Sequence, residues 1–279
     1  MSNKLLIIDK EPNFFKPVSQ LCTEAQFYTK EYEYWCQHMC QKPLLHRKQW
    51  EFCYILQVLS TNSMMQPGKK ALGFGVGQEP IPSVLARYGC DVLATDLQLE
   101  QAKSTGWIET NQHLNNLKDL HMPGICNAEE FFAKVQFRDM DMNNISEDLV
   151  NFDFTWSSCA FEHLGSIEKG LNFVKNTLKT LKPGGIAVHT TEFNVSSDEK
   201  TLDNAGTVLF RKQDIIKLAK DLIHEGHSIT LNFNLGSGEV DQYIDIPPYT
   251  QDKHLKLRLQ QYVTTSIGLI IQKNKHPQF

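Results

Sequence analysis

The residues best suited to chemistry fall in five places along the chain. The first is Leu72-Gly73-Phe74-Gly75-Val76-Gly77-Gln78-Glu79-Pro80. Alternating glycines let a backbone pass close beneath a ligand, and a helix starting just beyond them offers free N–H groups to negative charge. The same pattern suits a tight strand-to-helix turn, and both readings stand. The second is Asp96, where a carboxylate either accepts both ribose hydroxyls of a nucleoside or caps the next helix. The third is Glu162-His163. An imidazole titrates near pH 6.5, so His163 can take a proton at neutral pH, or it can shape a pocket. The fourth is His189 with Glu192, expected on one side of a strand. Glu192 offers a second base or a hydrogen-bond acceptor for a polyol, against a plain solvated acid. The fifth is Asp241, Tyr243, Asp245 and Tyr249, a mix of carboxylates and aromatics that suits a sugar ring or a loop folded on itself.

The elements that must hold these residues follow from apolar periodicity. Strands are expected at 70–74, 91–95, 134–138, 152–157, 185–191, 228–235 and 265–272. Helices are expected at 80–87, 97–105, 166–181 and 212–225, with Pro80 in a first turn and Ser166 as an N-cap. Such alternation predicts an α/β, Rossmann-like fold: a mainly parallel seven-stranded sheet with helices on both faces. Residues 1–66 are rich in aromatics, and Trp50, Tyr54 and Val58 recur at steps of four, so 47–60 reads as a helix. This gives a helical N-terminal cap, 1–66, ahead of the main domain, 67–279. Trp50 with Arg47 either roofs a ligand or packs in the core. The stretch 236–263 is long for a connection and is expected to be an acceptor-binding insertion.

Composition narrows the partners. Lys plus Arg is 28 against 32 Asp plus Glu, a net charge of −4, which argues against nucleic acid as the target. The longest apolar runs fall far short of the ~20 residues of a membrane helix. No leader pattern stands at the N-terminus, so a cytoplasmic protein without a membrane partner is expected. Seven cysteines do not suggest a disulfide scaffold, and no metal is expected. Cys36, His38 and Cys40 could face one side of a helix, but small thiols packing among aromatics is the simpler reading.

Two nucleoside cofactors fit a glycine loop followed by an acid. A nicotinamide fingerprint needs glycine at 78, where Gln78 stands. The spacing Gly73, Gly75, Gly77 suits the methionine portion of S-adenosylmethionine, which has no pyrophosphate.

In order and content, residues 68–273 resemble the class I S-adenosylmethionine-dependent methyltransferases. The glycine loop matches that family's first motif, bringing Gly73, Phe74, Gly75 and Gly77 into the cofactor set, and Asp96 matches the acid of its second strand. Asp139-Met140-Asp141-Met142-Asn143 sits where the family meets the adenine amino group. Asp141, twelve residues before Asp153, is preferred there, with Met142 beside it. Phe152-Asp153-Phe154-Thr155-Trp156-Ser157-Ser158 matches the fourth strand and places Ser157 near the cofactor. Leu181-Lys182-Pro183-Gly184-Gly185 matches the turn before the fifth. The segments 47–51, 73–80, 157–165 and 189–193 are similar to a bacterial subgroup with small-molecule or glycan acceptors. One position departs: the family's acid two residues before the first glycine is Ala71 here. Glu79 is the candidate replacement for meeting the methionine ammonium, unless it only faces a helix dipole.

The resemblance implies methyl transfer from S-adenosylmethionine to a small polar acceptor, an oxygen of a sugar, glycan precursor or related metabolite. His163 or Glu192 would act as base, and His189, Asp241, Tyr243 and Tyr249 would line the acceptor pocket. Two rivals stay open: a nicotinamide-dependent oxidoreductase or epimerase, and a non-catalytic nucleoside-binding module.

Overall fold

The structure, a computed structural model, describes residues 5–97 and 116–275. Among these, ten strands form one sheet where the sequence pattern predicts seven. The strands are Leu6–Ile8 (β1), Ser19–Leu21 (β2), Lys70–Phe74 (β3), Asp91–Asp96 (β4), Val135–Asp139 (β5), Phe152–Ser158 (β6), Leu181–Asn194 (β7), Thr230–Asn232 (β8), Leu257–Leu259 (β9) and Tyr262–Gln272 (β10). Their spatial order is β1-β8-β2-β10-β7-β6-β3-β4-β5, with β9 paired to β10.

The five strands from β3 to β7 run parallel, so their carboxyl ends share one edge. β10 runs antiparallel to β7 and β2. All three extra strands are short, too short for a period-two pattern to declare them. β1 and β2 come from the segment expected to be a helical cap, so that segment adds two strands to the same sheet as the rest.

Seven helices are described: Lys30–His38 (α1), Arg47–Thr61 (α2), Ile81–Arg87 (α3), Ala128–Lys134 (α4), Ile167–Thr180 (α5), Lys212–His224 (α6) and Glu239–Gln242 (α7). Most of the helix expected at 97–105 lies outside the described residues. One face of the sheet carries α1 to α4 around Trp35, Trp50, Tyr54, Leu85 and Phe131. The other carries α5 and α6 around Phe173, Val174, Leu178, Leu218 and Leu222. Each fully buried large apolar side chain contributes about 1.5–3 kcal/mol, so both layers matter to the fold.

α2 is the centre of the first layer. Trp50, Tyr54 and Val58 are fully buried, and the Trp50 and Tyr54 rings stack at 4.8 Å. Gly268 interrupts the apolar run of β10 for this reason: a Cβ there would lie 2.7 Å from Tyr54 Cδ1. The Trp50 indole donates to Gln26 at 3.0 Å. Trp50 is therefore a packing residue, while its neighbour Arg47 reaches the sheet edge described below.

Residues 236–263 fold back over the start of α2. The Arg47 amide donates to the His254 carbonyl at 3.0 Å, the His254 amide to Leu45 at 2.8 Å, and the His46 and His254 rings stack at 4.6 Å. His254 is in turn held by Asp245 at 2.6 Å.

Candidate active site

β3 leads directly into the glycine loop. Gly75 and Gly77 take φ of +57° and +50°, a region an L side chain rarely adopts, so glycine is required by the bend itself. The Val76 amide donates to the Thr95 carbonyl at 3.1 Å, and the Gly77 amide to Asp96 Oδ2 at 3.2 Å. Asp96 Oδ1 also accepts the Leu97 amide at 2.8 Å. The loop is thus tied to the carboxyl end of β4, where the acid faces it. Met142 Sδ and the Ala160 Cβ both approach Gly75, at 3.0 and 2.9 Å from where its Cβ would stand.

Two of the expected cofactor residues have other work. A Cβ at Gly73 would fall 2.6 Å from Trp156 Cη2 and 2.7 Å from Val76, so this glycine makes room for an indole, not for a ligand. Phe74 alternates to the opposite face and packs edge-on against Phe173 at 5.2 Å.

Trp156 also donates its indole N–H to Glu79 Oε1 at 2.5 Å. Glu79 is buried, and no cation lies within salt-bridge reach of it among the described residues. Burial, the dominant cause, pushes its carboxyl up to about 8, although the Trp156 bond and the Lys48 charge oppose the rise. Asp141 is exposed and accepts the Asn143 amide at 2.8 Å, closing a local turn. Ser157 is fully buried on the far face.

Beside the loop, the ends of β6, β7 and β10 meet the first turns of α2 in a buried charge cluster. Arg47 pairs with Glu192 and lies 3.6 Å from Glu51; Lys48 lies 3.3 Å from Glu51. Glu51 also accepts from Ser266 at 2.5 Å, from Ser158 at 3.2 Å and from the Cys159 thiol at 2.9 Å. Burial alone would make Glu51 hard to ionise, but Lys48 and Arg47 outweigh it and hold the carboxyl below its usual range. Glu192 accepts a second bond from Thr264 at 2.7 Å.

Glu162 is different. Its Oε2 accepts from Thr191 at 2.9 Å, while the buried Oε1 has no hydrogen-bond partner; His163 Nε2 is 3.9 Å away. Burial first, and the Glu192 charge second, push this carboxyl up to about 8. Cys159 lies between these groups at φ +44°, a strained conformation of the kind that collects at functional sites. Ligand atoms of Cys159, Glu162 and Glu192 lie within 4.8 Å of one another, a spacing that could hold a metal ion. Two of the three donors are already engaged, Glu192 by Arg47 and Cys159 by Glu51.

Residues 72–189, which hold the glycine loop, Asp96, Glu162 and most of β7, match the family model described as a methyltransferase domain. Over that stretch the chain is similar to methyltransferase domains. No curated protein matches the chain significantly. Similar solved structures include an S-adenosylmethionine-dependent methyltransferase from Clostridium acetobutylicum, 13% identical, covering 82% of this chain and 92% of that one at TM-score 0.44. Magnesium protoporphyrin IX methyltransferase from Synechocystis, with bound S-adenosylhomocysteine, is 13% identical over 89% of this chain and 96% of that one, at TM-score 0.46. The cyclase SpnF is 13% identical over 60% of this chain, which spans 56% of its length, at TM-score 0.42.

Several residues expected from the sequence to serve the site lie apart from the cluster. His189 is fully buried: Nδ1 pairs with Ser157 at 2.8 Å, Nε2 with Thr177 at 3.2 Å, and its ring packs against Phe161 and Phe173. Residues three apart on a strand face opposite ways, so His189 points into the second layer while Glu192 points at α2. His189 is thus a core residue, burial lowering its pKa to about 3, and it takes Ser157 with it.

Asp241 is buried and caps its own helix, accepting the Glu24 and Gly238 amides at 2.8 and 3.1 Å. Tyr243 is 41% exposed, beyond that helix. Both stand as local structure rather than pocket wall. Tyr249 donates to the Arg258 carbonyl at 2.6 Å and is near enough to Arg47 and Glu192 to feel their charges. His163 does reach the cluster's rim, yet its Nδ1–H donates to the Gly206 carbonyl at 2.9 Å, and burial lowers its pKa to about 4. It is neutral at physiological pH.

Lys48, Glu51, Cys159 and Ser266 carry no role in the sequence reading, and Glu162 appears there only as the neighbour of His163. The signal for the first two was present: Arg47, Lys48 and Glu51 are spaced i, i+3 and i, i+4 on an otherwise buried helix. Nothing local marks Ser266, which reaches Glu51 only through the sheet.

Proposed function

We propose that the protein methylates a small polar acceptor carrying a hydroxyl, a sugar or related metabolite, held at the Arg47–Glu51–Glu162–Glu192 cluster. The observation that carries this is adjacency: Ala160, between Cys159 and Glu162, stands against the glycine loop at Gly75. When bound, S-adenosylmethionine supplies a methyl group already activated on a sulfonium. The residues present fit that cofactor. Gly75 and Gly77 form a bend with no side chain at either left-handed position, and Asp96, at the end of the next parallel strand, is a carboxylate suited to ribose hydroxyls. Met142 borders the same bend, and the exposed Asp141 beside it is within one residue of that edge.

The chain's own contribution is then alignment and proton removal. Holding an acceptor in near-attack geometry can supply about 7–11 kcal/mol of a barrier. Arg47 and Glu192, fixed to each other, offer a donor and an acceptor to neighbouring hydroxyls. Glu162 is the best-placed base. Its Oε1 is unpartnered, and a carboxyl near 8 gains a proton readily at working pH. His163, neutral and tied to Gly206, orients the turn of residues 161–163 that carries Glu162.

Calorimetric titration with S-adenosylhomocysteine and transfer of labelled methyl to a panel of sugars, nucleotide sugars and amino sugars test the proposal. Binding with at least one methylated hydroxyl is expected, and Glu162→Gln should lower that transfer by about 10²–10⁴-fold while leaving binding intact. Methylation confined to apolar or macromolecular acceptors would refute it.

A further inference from the structure

We propose that Glu79 stands in for the carboxylate that Ala71 lacks, meeting the methionine ammonium of S-adenosylmethionine, and that it releases a proton to solvent when the cofactor binds. The inference rests on the cofactor assignment above and deepens it.

Four observations converge on this carboxyl. The strand position that would ordinarily hold the acid, Ala71, is fully buried and carries no charge. Glu79 sits just past the bend and is 5% exposed, with the Trp156 indole as its hydrogen-bond donor. No cation pairs with it among the described residues, so none of them neutralises a negative charge there by direct contact. A lone buried carboxylate is expensive, and such a group keeps its proton instead.

The charged groups facing Glu79 come from two elements. Lys48 of α2 favours ionisation; Asp96 at the end of β4 and Glu51 of α2 oppose it. Lys48 is already committed to Glu51 and to the Ser158 carbonyl, at 3.3 Å each. Burial, the dominant cause, with the two acids adding to it, therefore holds the balance towards the neutral form until a cation arrives. An ammonium placed against Glu79 reverses that balance. The Glu79 O–H bond breaks, its proton leaves to solvent, and the cofactor's ammonium keeps all its own protons.

The test is calorimetry of the full-length protein with S-adenosylhomocysteine at pH 6 and 7, each in two buffers of different ionisation enthalpy. About one proton should be released per molecule bound, and affinity should rise about tenfold per pH unit across that range. Glu79→Gln keeps an acceptor for Trp156, so the fold should persist. It should bind more weakly, with no proton release and no pH slope. Tight binding of the wild type without proton exchange, or a Glu79→Gln variant that still releases a proton, would overturn the inference and leave the cofactor assignment standing. Absence of binding at either pH would overturn both.

Discussion

The Arg47 guanidinium closes on the Glu192 carboxylate, tying the first turn of α2 to the far end of β7. The two residues are 145 positions apart, yet both side chains are mostly buried, at 16% and 8% exposed. This pair makes the N-terminal segment part of the site. Removing α2 would leave Glu192 buried without a counter-charge, in a place where desolvation is costly.

Breaking that pair should be felt in stability as well as in turnover. Arg47→Ala is expected to destabilise the protein by about 3–5 kcal/mol, because it strands a buried carboxylate. Arg47→Met combined with Glu192→Met should recover most of the loss while transfer stays abolished. Urea unfolding of the three proteins checks this, and a single variant within about 1 kcal/mol of wild type would show the pair to be solvated.

Glu162 ties stability to pH. Its folded pKa of about 8 lies well above the ordinary carboxyl value near 4.3, so the neutral form is favoured by folding. The stabilisation is complete below pH ~4 and is lost as pH rises through about 8, by up to ~1.4 kcal/mol per unit in between. Glu162→Gln should flatten this part of the curve, which chemical denaturation at several pH values will show. Transfer should run the other way, rising with pH towards a plateau above about 8 as the base ionises. His163→Asn should leave that ascending limb in place, since His163 is already neutral. If the limb instead vanishes with His163, the base assignment is wrong.

Gly73 and Gly206 make a contrasting pair. Gly73→Ala forces a methyl group against Trp156 and Val76 in a packed layer, and should destabilise by about 1–3 kcal/mol. Gly206 has open space around its Cβ position, so Gly206→Ala should be within about 0.5 kcal/mol of wild type. Thermal melts of both variants decide the matter; equal effects would contradict the indole packing.

In the proposed reading, Asp96 meets the ribose of the cofactor. Asp96→Ala also removes the acceptor of two loop amides, so S-adenosylhomocysteine should bind about 10–100-fold more weakly. Isothermal titration measures this directly, and unchanged affinity would place the ribose elsewhere.

The five parallel strands were legible because each is an apolar run of β length punctuated by turn residues. β3 matches the expected 70–74 at both ends, and β4, β5 and β6 lie within a residue of theirs. Ser166 is the N-cap it was expected to be, accepting the Lys169 amide at 3.2 Å. The glycine loop was legible because left-handed φ at Gly75 and Gly77 leaves a mark in residue type. β1, β2 and β9, three residues each, left no such mark, and β2 pairs with a strand nearly 250 residues away. His189 was misplaced with Glu192 because the alternation of strand side chains was not applied across three residues.

By itself, the sequence determined the α/β class, the central strand set and the glycine bend after β3, all written in local periodicity and backbone need. Only the tertiary structure decided which charges share a pocket. Arg47, Glu51, Glu162, Glu192 and Ser266 come from four separate stretches, and each is costly to bury alone. Their neutralisation depends on distances of a few ångströms, which no local pattern of residue types can specify.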